Sequence, residues 1–276
     1  MVIERVHAVF FSATGTTKRV VEWLTGVLAE QLGCGTATVD FTLPAARQKR
    51  YVFGPADLVV FGVPTYAGRV PNLLLPFMKS GFLGNGALAV PVVLFGNRNF
   101  DDALIELRDC LQNSGFCTVA AGAFVGEHAF SRTLAAGRPD ASDHKEASDF
   151  AVRVARKVQA LCGAPACPVA VDGCSPIRPY YTPRDRNGTP INILKVKPKT
   201  SDACDRCGIC ARICPMGSID PADPTVVNGV CIKCGACVKG CPRGAKYYDD
   251  PGYLYHQHEL EDQYARPAKN SLFVKK

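Results

Sequence analysis

Two runs of cysteine carry the most specific chemistry in this chain. Cys204, Cys207, Cys210 and Cys214, followed by Pro215, spell C-x2-C-x2-C-x3-C-P, and Cys231, Cys234, Cys237, Cys241 and Pro242 spell it again. Each position of the second run lies 27 residues after its counterpart, and the same offset superposes Gly208 on Gly235 and Gly217 on Gly244. Two-residue spacings let three thiolates converge on one metal centre, while the proline stops a helix and redirects the fourth ligand. Such thiolates hold either iron–sulfur cubes or zinc, which also uses C-x2-C pairs. Zinc has no call for a third cysteine two residues on with Cys-Pro three further. If all eight cysteines are ligands, no iron keeps an open position, so the clusters pass single electrons without binding substrate. The other six, Cys34, Cys110, Cys117, Cys162, Cys167 and Cys174, lack this spacing and read as buried or incidental thiols.

A second chemical feature lies near the start. Ser12-Ala13-Thr14-Gly15-Thr16-Thr17 joins an apolar run, residues 6–12, to a helical pattern. Small residues at a strand-to-helix turn let backbone N–H groups face an anion, hydroxyls add donors, and the helix dipole adds favourable charge. The spacing is neither that of a nucleotide-hydrolysing P-loop nor G-x-G-x-x-G. An ordinary capped turn has the same composition.

The elements that must position these residues alternate. Strands are expected at 6–12, 36–42, 57–63, 87–95 and 119–125. Between them fall helices at 16–32, from Pro71 to 80, at 101–113 and at 142–161. In the first helix Val20, Trp23, Leu24, Val27 and Leu28 share one face. Strands alternating with helices imply a parallel sheet covered on both faces, and five strands suit the doubly wound order 2-1-3-4-5. In that order Pro64-Thr65-Tyr66-Ala67-Gly68 and Gly96-Asn97-Arg98-Asn99-Phe100 follow the third and fourth strands, beside the switch point where a ligand binds. Glu127-His128 falls on the same rim, just past the fifth strand.

Composition sets the remaining bounds. The chain has 276 residues, 47% apolar and 21% charged, which suits one or two globular domains. No apolar run is long enough to span a membrane, and the N-terminus lacks the ordered regions of a signal peptide. A cytoplasmic location with reduced or metal-bound thiols is expected. The formal charge is +7, but two thiolate-bound cubes and a phosphate monoester bring the loaded protein to about +1. No nucleic-acid partner is therefore expected. Domain boundaries are placed at 1–163 (α/β domain), 164–199 (proline-rich basic linker, either a solvated spacer or an extended strap), 200–248 (cysteine domain) and 249–276 (C-terminal tail).

Residues 201–247 resemble the two-cluster bacterial ferredoxins, and residues 3–162 resemble flavodoxins; the whole chain is similar to ferredoxins with an N-terminal flavodoxin-like domain, found widely in anaerobes. The ferredoxin resemblance implies a small α+β domain in which the fourth cysteine of each run crosses over. One [4Fe–4S] cluster would then sit on Cys204, Cys207, Cys210 and Cys241, and another on Cys231, Cys234, Cys237 and Cys214. The flavodoxin resemblance implies FMN, with its phosphate on Ser12, Thr14, Gly15, Thr16 and Thr17. The isoalloxazine would lie between Pro64, Thr65, Tyr66, Ala67 and Gly68 on one side and Gly96, Asn97 and Phe100 on the other. Tyr66 would stack on the ring and Asn97 read its polar edge. The expected function is electron transfer between the clusters, FMN and a redox partner (a ferredoxin or reductase). The alternative is an FMN-dependent reductase of a small-molecule acceptor, with His128, Arg98 or Arg132 assisting. A redox sensor whose cofactors are structural is a third class.

Overall fold

The computed structural model describes residues 1–163, 165 and 167–274; Ala164 and Ala166 of the linker and Lys275 and Lys276 of the tail lie outside the described residues. Five parallel strands, β1 (Arg5–Phe10), β2 (Gly35–Asp40), β3 (Asp57–Pro64), β4 (Leu88–Phe95) and β5 (Ala121–Val125), form the sheet in the order 2-1-3-4-5. The expected doubly wound topology is thus borne out. In β3 residues 58–63 and in β4 all eight residues are buried, as continuous apolar strands covered on both faces must be. β2 at the edge alternates between exposed and half-buried residues.

Period-two alternation divides the core. Val6, Ala8 and Phe10 of β1 face α1 (Thr16–Leu32) and α4 (Ala141–Ala160), whereas Val9 faces α2 (Leu75–Ser80) and α3 (Ala103–Asn113). Gly62 lets α1 approach closely, since a Cβ there would lie 2.3 Å from Val21 Cγ2. Pro91 sits inside the central strand β4 although it has no N–H to donate. The pairing of β4 with its neighbour is broken at that point: Ala89 pairs with Thr118 and Val92 with Gly122, leaving an extra residue between. The break spares Pro91 a donor and starts β5 two residues later than the apolar run suggests.

The largest departure from expectation is at the C-terminus. The C-terminal tail, described through residue 274, carries a helix and a strand that were not expected. Asp250 caps a helix, its carboxylate accepting from Tyr253 N at 2.9 Å. Strand β6 (Ser271–Phe273) then pairs antiparallel with β5 and covers that edge of the α/β sheet. The chain leaves the first domain, builds the cysteine domain and returns. A strand of three residues gave no sequence signal for this pairing.

The linker behaves as a strap. The buried carboxylate of Asp102 accepts from Cys174 N, Arg178 N, Arg178 Nε and Arg178 Nη2, all within 2.9 Å. These donors, the Arg178 guanidinium first, hold the Asp102 pKa far below the ordinary carboxylate range. Further on, Tyr181 N donates to Ala67 O at 2.8 Å and Tyr180 OH to Val70 O at 2.9 Å, so the strap lies along the loop after β3.

In the cysteine domain the internal repeat is visible in the backbone. Helices α5 (Ile209–Arg212) and α6 (Ala236–Lys239) are equivalent single turns. Arg206 and Lys233 have φ of 58° and 55°, Gly208 and Gly235 70° and 75°, and Gly217 and Gly244 both 60°. Lys199–Thr200 pairs antiparallel with Lys246–Tyr247 and closes the module. The terminal helix, α7, spans Pro251–Gln263.

Candidate redox site

Two cavities separate the eight cysteines. The first is lined by Cys204, Cys207, Cys210 and Cys241; the second by Cys214, Cys231, Cys234 and Cys237. Each cavity thus takes three thiols from one run and the fourth from the other. Backbone N–H groups point at the crossing sulfurs, Ser218 N to Cys214 Sγ and Ala245 N to Cys241 Sγ, each at 3.3 Å. Among the described residues no three His, Cys, Asp or Glu side chains close around a single ion. The four thiols lining each cavity are the number that a four-iron cube takes, one thiolate per iron.

Burial pushes the thiols of Cys234 and Cys237 up to about 12, with neighbouring cysteines adding to the effect. Burial also opposes the Cys241 thiolate, but N–H groups of Ala245, Arg243 and Lys246 outweigh it and hold that pKa below its usual value. Without metal the Cys234 and Cys237 thiols stay protonated, so metal binding there must displace protons.

The hydroxyl-rich turn lies at the carboxyl end of β1. Gly15 takes φ of +87°, with no atom within 4 Å of where a Cβ would stand. Ser12 Oγ accepts from Lys18 N at 3.0 Å, and Ser12 N donates to Thr42 Oγ1 at 2.9 Å. Among the described residues no acceptor meets the N–H groups of Thr14, Gly15, Thr16 and Thr17, at the start of a 17-residue helix. Thr14 and Thr16 are half-buried, and Thr17 is buried with its methyl toward Gly62. Between the β3 and β4 loops, Thr65 Oγ1 is buried without a hydrogen-bond partner, while Thr65 N donates to Leu94 O. Free amides at one end and an orphaned hydroxyl at the other fit a phosphate-bearing flavin.

Tyr66 stands on this rim against the second cavity. Burial raises its phenol well above the ordinary value, and the thiols of Cys234 and Cys231 act in the same direction. The loops after β2 and β5 also meet the cysteine domain here. Arg47 Nη2 donates to Pro215 O at 2.5 Å, and Lys239 Nζ to Glu127 Oε1 at 2.5 Å and His128 O at 2.6 Å. A Cβ on Gly235 would lie 2.5 Å from Ala129 O, so that contact is backbone to backbone. Nothing in the cysteine spacing specifies which cavity faces the rim; the packing of these loops decides it.

Several expected side-chain roles need correction. The Asn97 amide is fully occupied: Nδ2 donates to Tyr264 O and Arg266 O, and Oδ1 accepts from Ala268 N, so it pins the returning chain and cannot read a ring edge. Phe100 is 7% exposed and packs on Phe95 in the core, away from any stacking position. Pro64 ends β3, Ala67 and Gly68 form a left-handed turn against Asp101, and Gly96 packs on His128. Arg98 pairs with Asp101 and lies 4.7 Å from the Tyr181 ring, and Arg132 Nη2 donates to Val238 O. Both arginines are structural in these contacts. The strap residue Tyr181 carried no sequence signal for this rim, because only the tertiary path brings it there.

His128 is equally constrained. Its Nδ1 accepts from Phe130 N at 3.1 Å, which leaves the proton on Nε2. Burial first, then Lys239 and His256, lower its pKa to about 4, and burial lowers His256 to about 4 as well. Both rings are neutral near pH 7, so His128 is poorly suited to donate a proton from an imidazolium. The unfolded chain takes up protons on these rings below pH ~6.5, which the folded chain refuses until about 4. Stability is therefore expected to be greatest above that window and to fall as pH drops through it. Thermal melting against pH tests this: His128→Gln should flatten the decline, and an equally steep decline in the variant would refute the assignment.

Residues 201–217 and 228–248 match the family described as 4Fe-4S binding domain. No curated protein matches the chain. Among solved structures, the chain is similar to a flavodoxin from the domain Archaea, at 14% identity over 56% of this chain and 99% of that one, with a TM-score of 0.41. It is also similar to the flavodoxin of Streptococcus pneumoniae TIGR4, at 18% identity over 55% and 99%, with a TM-score of 0.39. A third similarity is to rubredoxin oxygen:oxidoreductase from Desulfovibrio gigas, at 15% identity over 56% of this chain and 36% of that one, with a TM-score of 0.39. No helix among the described residues is long and apolar enough to cross a membrane. The chain joins a doubly wound α/β domain with a 2-1-3-4-5 sheet to a cysteine module that matches the 4Fe-4S binding domain family.

Proposed function

We propose that this protein is an electron-transfer iron–sulfur flavoprotein that passes single electrons between two [4Fe–4S] clusters and FMN and exchanges them with a redox protein. The outer cluster is held by Cys204, Cys207, Cys210 and Cys241, and the inner one by Cys214, Cys231, Cys234 and Cys237. Ser12 and Thr14 to Thr17 hold the FMN phosphate through hydroxyls and free N–H groups, while Thr65 and Tyr66 border the ring. When bound, FMN supplies a carrier that takes two electrons and releases them singly, whereas each cluster handles one.

One set of contacts carries this reading: Gly235, between Cys234 and Cys237 of the inner cage, packs on Ala129 O, and Lys239 donates to Glu127 Oε1 and His128 O, so the inner cage abuts the rim. At the outer cage Cys207 is exposed, with Arg212 donating to its carbonyl. Electrons then have an entry at the outer cluster, a relay at the inner one and a terminus at the flavin. The reductase alternative draws less support, because Arg98 is paired with Asp101 and the His128 ring is neutral near pH 7, with Nδ1 accepting from Phe130 N.

Stopped-flow mixing of anaerobic holoprotein with a reduced ferredoxin tests the proposal, followed by a screen of enone-type and other small acceptors. Rapid exchange with the carrier and no acceptor turnover above that of free FMN is the expected result. Acceptor turnover well above free FMN would favour the reductase, and no carrier exchange at all would refute the electron-transfer reading.

A further inference from the structure

The duplication that builds the cysteine module is broken at one buried position. The 27-residue offset pairs Lys246 with Ile219, and the two residues are 3% and 4% exposed. Ile219 packs with Cys210 and Cys237 and lines the inner cavity. Lys246 lines the outer cavity. Its ammonium donates to Thr200 Oγ1 at 2.7 Å and to Pro224 O at 2.5 Å. Among the described residues it forms no ion pair; the nearby carboxylate of Asp223 is engaged by Thr225.

A buried ammonium with only neutral acceptors is strongly disfavoured unless an anion offsets it. A cube bound by four thiolates carries net negative charge, and an added electron increases it. A cation nearby in low dielectric stabilises the reduced cluster more than the oxidised one. The other charges around the outer cavity are exposed and therefore screened: Arg243 pairs with Asp205 at 2.8 Å, and Arg212 donates to Cys207 O at 3.1 Å.

We propose that Lys246 is the buried counter-charge of the outer cluster and raises its reduction potential above that of the inner cluster, where Ile219 occupies the equivalent place. The inference rests on the two-cluster reading above. Lys246 lines the outer cavity and not the inner one, so the inner cluster is affected less. An electron entering the module then rests on the outer cluster, and the inner cluster is the uphill relay to the flavin rim.

The test is a redox titration of anaerobic holoprotein by electron paramagnetic resonance, with iron counted first. In Lys246→Ile the reduced-to-oxidised ratio of the higher-potential cluster should fall at least tenfold at fixed potential, ~59 mV for a one-electron couple. The lower step should move less, bringing the two together, and Lys246→Arg should stay within about twofold of the parent at both steps. If Lys246→Ile takes up no iron, Lys246→Gln carries the same expectation. Iron loss in both neutral variants but not in Lys246→Arg would equally support a required cation. Full iron with both steps unmoved in a neutral variant, or both moved equally, would overturn the proposal. Fewer than about eight irons in the unmodified protein would instead refute the two-cluster reading itself.

Discussion

Replacing Cys237 with serine is expected to remove about half of the iron and leave one cluster's spectrum intact. The stronger form of the experiment is the double variant Cys214→Ser/Cys237→Ser. These cysteines come from different runs but line the same cavity. If each cavity holds one cluster, the double variant loses the same half as the single one and keeps the cluster on Cys204, Cys207, Cys210 and Cys241. If each run bound its own cluster, the double variant would lose both. Iron and sulfide analysis of anaerobically purified protein distinguishes these outcomes, and unchanged iron in either variant would contradict the ligand assignment. Cys174→Ser is the control, since that thiol is exposed and lies outside both cavities.

The second large effect concerns the flavin. Converting Thr14, Thr16 and Thr17 together to valine preserves shape and β-branching, including the methyl of Thr17 that packs toward Gly62. It removes three hydroxyl donors from a bound dianion, each worth about 1.5–3 kcal/mol. Their contributions are not additive, and a combined loss of about 4 kcal/mol weakens FMN binding on the order of a thousandfold. Ultrafiltration at micromolar protein should release the yellow cofactor while the brown iron–sulfur absorbance stays with the chain. Full flavin retention would show that the turn has another role. Loss of both colours together would point to unfolding, which the iron content and the cooperative melt of the variant report independently.

The two experiments probe parts of the molecule that differ in how far they could be read from residues. Cluster chemistry is short-range. Cys204 to Cys214 and Cys231 to Cys241 carry their spacing, their left-handed glycines and their prolines within local segments, so composition and offset suffice to identify them. The sheet is similar: continuous apolar strands alternating with one-faced helices admit few topologies. Asn97 and Phe100 show where this stops. Both follow β4, at the position where a ligand loop is expected, yet one is taken by the returning chain at Tyr264 to Ala268 and the other by Phe95. A loop residue's partner can lie well over a hundred positions away, and no local pattern encodes it.

By itself, the order of residues determined that this chain has a covered parallel sheet, a hydroxyl-rich strand-to-helix turn and eight thiols in two phased runs. Those properties follow from periodicity and spacing over at most a few tens of residues. Tertiary structure alone decided that the last strand returns to close the sheet, that the proline-rich strap is anchored on Asp102, and that the cage of Cys231 meets the loop after β5. It also revealed that Lys246 is buried where its repeat partner is isoleucine. Each of these depends on contacts between distant segments, where burial and the need to satisfy every enclosed polar group choose among arrangements that local sequence leaves equivalent.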